Sequence, residues 1–217
     1  MQLGPNGGPV PIDEFWYDAA LTCSLVGDDA TADRLYLRAL EQNPDHALSG
    51  NNAGYGRLEM GLLDERTVGL IEHAAALDPD STNVLDTLAW LRYHQQRLSG
   101  PGGALELIER AIRESSEPSA EMHDHRGDIL WRLGRHDDAR LAWQAGLDLL
   151  TQQGFRETAT RNYELLQTRS WGILVVDPAT VYHRYFGRRE ASLRAKLAAS
   201  AAGEDPPVAQ FGTDSGD

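Results

Sequence analysis

The sequence has very little cysteine, very little lysine and no long apolar run. Cys23 is the only cysteine in 217 residues, so the chain cannot form an internal disulfide. The 20 basic residues include a single lysine, Lys196, a skew that we attribute to genome composition rather than to function. No run approaches the roughly 20 apolar residues that a membrane-spanning helix needs. A membrane span is therefore not expected.

The first residues have neither the basic part nor the apolar part of an export signal, which favours a cytoplasmic location for the chain as it stands. Helical periodicity begins almost at once, near Ile12. A periplasmic or envelope-associated location therefore stays open if the chain is a fragment of a longer precursor.

Common catalytic motifs are also missing from the sequence. It contains no Gly-x-Ser-x-Gly, no phosphate-binding Gly-Lys-Ser/Thr loop, no Gly-x-Gly-x-x-Gly and no His-Glu-x-x-His. The glycine-rich stretch 100–103 has no lysine after it, which indicates a turn. Cys23 lies among small apolar residues and is interpreted as a packing residue. We expect a non-enzymatic protein with no cofactor, no catalytic residues and no metal site.

A cluster of histidine and aspartate residues between 123 and 138 leaves one remote alternative open, a metal-assisted hydrolase around His123 and His125. Metal ligands must converge from one face, normally at i, i+3 or i+4 on a helix. Two residues apart, these histidines point about 200° away from each other. His125 and Asp128 have the right spacing, but two ligands do not hold a metal. We favour a polar helix start.

The chain is strongly acidic, with a net charge of −13 from 33 acidic and 20 basic residues. An acidic surface repels nucleic acid and anionic membranes, so neither is an expected partner. Residues 1–150 carry a net charge of −13, residues 151–200 carry +4 and residues 201–217 carry −4. The basic stretch predicts docking on the acidic body or self-association through a second copy. Such docking should weaken with salt if the charges are exposed.

Small residues recur in four units, and the last two in each unit are always seven apart. Seven residues are two helical turns, which keeps both small residues on one face. A large apolar residue precedes the last small one by three, and a proline follows three of the four units. The pattern predicts four helix pairs that cross closely at the small residues. These residues are Ala20, Ala32, Ala39, Gly54, Thr67, Ala74, Ala89, Ala104, Ala111, Gly127, Ala139 and Gly146.

Three phrases recur within these units. They are Asn52-Ala53-Gly54-Tyr55, Asp86-Thr87-Leu88-Ala89-Trp90 and Gly127-Asp128-Ile129-Leu130-Trp131-Arg132-Leu133-Gly134-Arg135. The pattern resembles the tetratricopeptide repeat (TPR) in the form common in bacterial proteins, over about residues 13–150. The resemblance implies an all-α fold, a right-handed superhelical solenoid of four TPR-like helix pairs with a capping helix and a C-terminal helix. The chain departs from the pattern at Ala89, where glycine is usual.

This organisation divides the chain into five parts. They are a flexible N-terminus (1–11), four repeats (12–150), a capping helix (151–170), a basic C-terminal segment (171–200) and a disordered tail (201–217). The repeats span about 13–46, 47–81, 82–118 and 119–150.

The first helix of each unit lines a concave groove in proteins of this family. Counted from the first small residue of each unit, the positions three before, one after and four after share that side. The resulting strip mixes aromatic rings with carboxylates and an amide, which is typical of peptide-binding hot spots. The predicted groove residues are Tyr17, Asn51, Tyr55, Asp86, Trp90, Tyr93, Asp124, Asp128 and Trp131.

Charge in the predicted groove restricts the partner. Family members that clamp a C-terminal carboxylate need positive charge where this chain has Asp86, Asp124 and Asp128. The groove therefore favours a basic or neutral amphipathic segment. We expect a scaffold for protein–protein interaction that binds a peptide or helical segment of its partner. The alternative is an accessory or regulatory domain of a larger assembly, such as one of the cell envelope.

Overall fold

The structure, a computed structural model, describes residues 11–152 and 186–211. The predicted capping helix at 151–170 lies outside these residues except for its first two positions, and so does the first half of the basic segment. In the described part of the chain the regular elements are helices and none is a strand, which confirms the predicted all-α helical-repeat fold. The helices are α1 (Ile12–Leu25), α2 (Asp29–Gln42), α3 (Ala47–Glu59), α4 (Glu65–Leu77), α5 (Thr82–His94), α6 (Ala104–Glu114), α7 (Ala120–Arg132), α8 (His136–Thr151) and α9 (Arg188–Ala202).

Short polar side chains start several of these helices. The carboxylates of Asp28 and Asp64 accept hydrogen bonds from the main-chain N–H groups of Thr31 and Thr67, at 3.2 and 2.8 Å. Each bond satisfies one of the N–H groups that a helix start leaves unpaired. The sequence thus fixes where α2 and α4 begin.

The turn inside each helix pair needs a left-handed residue. Gly27, Gly61 and Gly134 fill this position with φ near +75°, where a residue without Cβ has no steric penalty. The third pair uses Gln96 instead, at φ of 59°. The same turn therefore recurs in all four pairs. It is strained in the third pair, where a residue with a Cβ adopts the left-handed conformation.

Glycine is required where the two helices of a pair touch. A Cβ atom added at Gly54 would lie 2.3 Å from Cγ1 of Ile71, and one added at Gly127 would lie 2.2 Å from Nε1 of Trp143. Both distances are far below van der Waals contact. The small residues predicted to mark the crossings are all buried, and the bulky residue of the facing helix fills the space.

α9 covers the apolar face of the last helix pair. It packs mainly on α8 and also reaches α7. Leu193 is fully buried in a cluster with Trp143, Leu147 and Leu150. A repeat array needs such a cover because its last unit has no neighbour on one side. Among the described residues, α9 has the role that the sequence assigns to 151–170.

The chain turns back after α9, at Gly203, and residues 204–211 lie against α7 and α5. The sequence predicts disorder from residue 201 onward, and this prediction is wrong for residues 204–211. Val208 is buried, and Phe211 packs against Tyr93. Burial of these two apolar side chains, together with main-chain hydrogen bonds, outweighs the polar, proline-rich composition.

No helix within 11–152 or 186–211 is both long enough and apolar enough to cross a bilayer.

Candidate functional site

The first helices of the pairs form the inner layer of the repeat array. α3 contacts α5, and α5 contacts α7, whereas each second helix packs on its neighbours from outside. The inner surface of α1, α3, α5 and α7 is the concave groove that the sequence predicts. α9 and residues 204–211 cover its C-terminal half.

A buried ion cluster lies where α9 meets the groove. The ammonium group of Lys196 is 2.6 Å from Oδ1 of Asp124 and 2.6 Å from Oδ1 of Asp128. All three side chains are at most 6% exposed. Burial opposes charge on each group, but the ion pairs outweigh it for Lys196, whose pKa is raised, and for Asp124, whose pKa is lowered. Burial, aided by the nearby Asp124 charge, raises the pKa of Asp128 despite Lys196.

Arg189 adds a second cation and joins α9 to both α7 and α3. It forms ion pairs with Glu121 and with Asp124, the latter at 3.0 Å, and it donates a hydrogen bond to the Tyr55 hydroxyl at 3.3 Å. That hydroxyl in turn donates to Glu121 at 2.6 Å. Burial works against ionisation of Glu121, but the Arg189 charge prevails and lowers its pKa.

An aromatic stack joins α5 to α7 beneath the groove. The Trp90 ring lies between Tyr93 and His125, with centroids 4.6 and 4.0 Å away and nearly parallel planes. Nδ1 of His125 is 2.7 Å from Oδ1 of Asp86. Burial disfavours the imidazolium, but the Asp86 carboxylate outweighs burial and raises the pKa of His125. Trp90 is 3% exposed and Tyr93 has no exposed surface, so these rings belong to the core more than to the groove surface.

Residue 209 is held by its main chain. The Ala209 N–H donates to Oδ2 of Asp128 at 2.9 Å, and its carbonyl accepts from the Tyr93 hydroxyl and from Arg132, the latter at 3.0 Å. Burial raises the pKa of Tyr93 to about 12, so the hydroxyl stays protonated and able to donate. We call Tyr93, Asp128 and Arg132 the main-chain clamp.

The clamp extends to Phe211 and Asp205 on either side of Ala209. The Phe211 ring lies 5.1 Å from the Tyr93 ring and 4.9 Å from the Arg132 guanidinium carbon. Nε1 of Trp131 donates to Asp205 at 3.2 Å. The C-terminal half of the groove therefore holds residues 205–211, which belong to no helix, by main-chain and side-chain contacts together.

Within the described residues, the N-terminal half of the groove is open. A cavity of about 280 Å³ lies between α1, α3, α5 and α7. Oδ1 of Asn51 is buried there without a hydrogen-bond partner among the described residues, and its Nδ2 donates to Asn52 at 3.2 Å. We call this cavity the open subsite. Its lining is Leu21, Ser24, Leu25, Tyr36, Asn51, Asn52, Tyr55, Asn83, Asp86, Thr87, Ser119 and Glu121.

The predicted groove residues fall into three sets, with Tyr17 apart from them. The open subsite is lined by Asn51, Tyr55 and Asp86. The residues that cover the C-terminal half, α9 and 204–211, contact Asp124, Asp128 and Trp131. Trp90 lies in the stack, and Tyr93 joins that stack to the clamp. Tyr17 is half-buried, with its ring 6.0 Å from Tyr36 and 5.2 Å from His46.

Several residues that hold the site together are not among the predicted groove residues. They are Glu121, His125, Arg132, Arg189 and Lys196. A usable signal was present for the last two, because Arg189, Leu193 and Lys196 are spaced by four and then three residues and so share one helical face. Lys196 belongs to the basic stretch that the sequence predicts to dock on the acidic body, and the structure buries it between two carboxylates.

The histidines of the remote metal-site alternative, His123 and His125, do not converge. His125 pairs with Asp86, whereas His123 is half-buried elsewhere on α7. Within 11–152 and 186–211, no three histidine, cysteine, aspartate or glutamate side chains are grouped so that they could hold a metal ion.

No model of a known protein family matches the sequence, and no curated protein matches it either. Solved structures do match. TTC0263, a thermophilic TPR protein of Thermus thermophilus, is 19% identical with a TM-score of 0.55, over 88% of this chain and 99% of that one. PilF of Pseudomonas aeruginosa is 14% identical with a TM-score of 0.53, over 88% of this chain and 93% of that one. Identities this low show the fold alone, and that fold is the tetratricopeptide-repeat fold that the sequence predicts.

Proposed function

We propose that this protein is a non-enzymatic scaffold that binds a segment of another protein in its concave groove. The observation that carries the proposal is the open subsite, where amide groups from α3 and α5 and carboxylates from α5 and α7 converge on one cavity. Amide side chains both donate and accept, so they suit the main chain of a peptide. The buried Oδ1 of Asn51 is an acceptor that such a main chain would satisfy.

Charge favours a neutral or basic segment. Of the two carboxylates in the open subsite, Asp86 is paired with His125 and Glu121 with Arg189. A neighbouring cavity of about 350 Å³ adds the exposed Glu59, together with Arg189 of α9. That cavity is lined by five carboxylates (Asp29, Glu59, Glu121, Asp124 and Asp128) and three cations (Arg188, Arg189 and Lys196), so an acidic segment would meet net negative charge there, whereas a neutral or basic one would not be repelled.

Selection from a random-peptide display library on the full chain tests the proposal. We expect neutral or basic peptides to be enriched and their affinity, measured by fluorescence anisotropy, to fall at least tenfold in Asn83→Arg. Asn83 is exposed and lines the open subsite, so the substitution fills the cavity without disturbing the core. Gln144→Arg on the outer helix α8 is the matched control and should leave affinity unchanged. Equal loss in both variants, or no enriched peptide, would refute the proposal.

A further inference from the structure

We propose that the main-chain clamp is a binding site for an extended segment of an outside protein, and that residues 204–211 occupy it as an internal ligand which the partner displaces. The inference rests on the proposed function in that both use the concave groove. It adds the chemistry of the partner segment and the competitor that controls access to it.

Recognition at the centre of the clamp does not depend on the side chain of Ala209. Its N–H and its carbonyl are both bound, by Asp128 on one side and by Tyr93 and Arg132 on the other. A site that binds both main-chain groups of a residue accepts that residue whatever its side chain is. Arg132 is a cation, which strengthens the bond that it donates. Any extended segment can therefore use the clamp.

Neighbouring contacts supply a sequence preference. Val208, one residue before the clamped position, is 6% exposed and packs with Leu130 and Trp143 of the last helix pair. Phe211, two residues after it, packs on Tyr93 beneath the Arg132 guanidinium. The partner segment should carry an aliphatic residue, any residue at the clamp, and an aromatic residue two positions later.

Prolines before the clamp preorganise the segment, and the Val208 N–H donates to the Pro206 carbonyl at 2.7 Å, which closes a tight turn around Pro207. Pro206 is buried and Pro207 follows it directly. Each proline fixes its own φ, and the residue before a proline is kept extended. A segment with this start loses less conformational entropy when it binds. We expect an effective partner segment to contain proline in the same place.

The clamp fits a neutral segment. Around the clamp and the ion cluster, three cations (Arg132, Arg189 and Lys196) face three carboxylates (Glu121, Asp124 and Asp128), so the charges balance. An added positive or negative side chain at the clamp would lack a counter-charge there. The sequence predicts that the partner segment is basic or neutral. For the C-terminal half of the groove, which contains the clamp, we expect a neutral segment.

Residues 204–211 are separable from the rest of the fold. α9 is anchored by Leu193 and Lys196, which are buried in the last helix pair and the ion cluster. It ends at Gly203, whose φ of 74° turns the chain back. Release of the segment beyond this glycine leaves α9 and its ion pairs in place, so the internal ligand can leave without unfolding the solenoid.

A tethered segment competes strongly with an outside one. Its effective concentration is on the order of millimolar for a short flexible connection. The apparent affinity for an outside segment falls in proportion to the fraction of clamp that is free. Weakening the internal ligand should therefore tighten binding from outside, with no change in the clamp itself.

The experiment measures binding of a fluorescein-labelled synthetic peptide of residues 203–211 to full-length variants. In Val208→Ser/Phe211→Ala, which weakens the internal ligand, we expect the peptide to bind at least tenfold more tightly than to wild type. Gln210→Ala changes an exposed residue of the same segment and should behave as wild type. If the double variant loses its helical circular dichroism signal, the single variant Phe211→Ala replaces it. The peptide should again bind at least tenfold more tightly than to the wild type. Equal affinity for the weakened variant and wild type would overturn the proposal.

A second pair of variants tests the clamp. In the weakened background, Arg132→Gln should reduce peptide affinity at least tenfold. Arg126→Gln, on the same helix but paired with Glu109 away from the groove, should not. Unchanged binding in Arg132→Gln would overturn the proposal.

The two proposals can fail separately. Suppose that library-selected peptides bind the wild type, while the 203–211 peptide has the same affinity for Val208→Ser/Phe211→Ala as for the wild type. The internal ligand is then refuted and the scaffold function stands. Suppose instead that the 203–211 peptide binds the weakened variant more tightly than the wild type, while no library peptide binds. The clamp then stands and the open subsite is refuted as a binding site.

Discussion

Lys196 faces two buried carboxylates at the centre of the groove, and its removal would leave them without their main counter-charge. We expect Lys196→Met to lower the free energy of unfolding by about 3–5 kcal/mol, the usual effect of breaking a buried ion pair. Arg194→Met is the matched control, because Arg194 is 58% exposed and pairs only with Glu190 one turn away. It should change stability by no more than about 0.5 kcal/mol. Urea unfolding measures both, and similar losses would contradict the assignment.

His125 and His94 lie close together but should titrate in opposite directions. Burial disfavours the charged form of His125, yet the Asp86 ion pair raises its pKa above 6.5. Burial, helped by the charge of His125, lowers the pKa of His94 to about 4. NMR titration should show His125 charged above pH 6.5 and His94 neutral down to about pH 4. In Asp86→Asn, the pKa of His125 should fall.

These shifts have opposite consequences for stability. The raised pKa of His125 contributes stability that is fully present below pH 6.5 and is lost as pH rises through the folded value. The lowered pKa of His94 costs stability as pH falls from 6.5 toward about 4. A His125 resonance that titrates at or below pH 6.5 in the wild type would show that burial outweighs the ion pair.

Helical spacing predicts which residues share a face of a helix, but it does not predict which side chains of the next unit cover them. Helical spacing places Asp124 and Asp128 on one face of α7, and the structure pairs both with Lys196. The spacing cannot show that Trp90 is buried, because the ring that covers it, His125, belongs to the next unit. Trp90→Ala would therefore cost fold stability, even though Trp90 is one of the predicted groove residues.

At the scale of the helix pair, glycine at the crossing is a steric requirement. A Cβ at Gly127 would lie 2.3 Å from Cδ1 of Trp143, whose ring is buried and cannot move aside freely. We expect Gly127→Ala to lower the free energy of unfolding by about 1–3 kcal/mol. Gly56→Ala in α3 is the control, because nothing lies within 4 Å of a Cβ added there. It should leave the free energy of unfolding unchanged or raise it by up to about 1 kcal/mol. Thermal melting compares them, and equal effects would mean that the crossing tolerates a methyl group.

Regular elements were predictable because their signals are periodic. The constant seven-residue interval between small residues requires two helices that cross repeatedly, and the all-α repeat fold is confirmed. The extended stretch 204–211 has no such signal. It is held largely through the main chain of Ala209, and main-chain hydrogen bonds leave no mark in the sequence. Composition alone therefore predicted disorder there.

At the scale of the whole molecule, a basic helix closes an acidic solenoid. The sequence suggested a contact that salt would weaken, but Lys196 and its carboxylate partners are almost fully buried. Buried pairs are screened little, even at 1 M salt where the Debye length is about 3 Å. We expect hydrogen exchange of residues 188–202 to stay slow from low salt to 1 M sodium chloride. Exchange that accelerates strongly with salt would show that exposed charges hold α9.

The measurement that most directly tests the central claim is an NMR map of backbone amide shifts on adding a library-selected peptide. Binding in the concave groove predicts that the shifts change on the inner helices α3, α5 and α7. The outer helices α2, α4 and α6 should change little. Shifts confined to the outer helices, or no shifts at saturating peptide, would contradict the account.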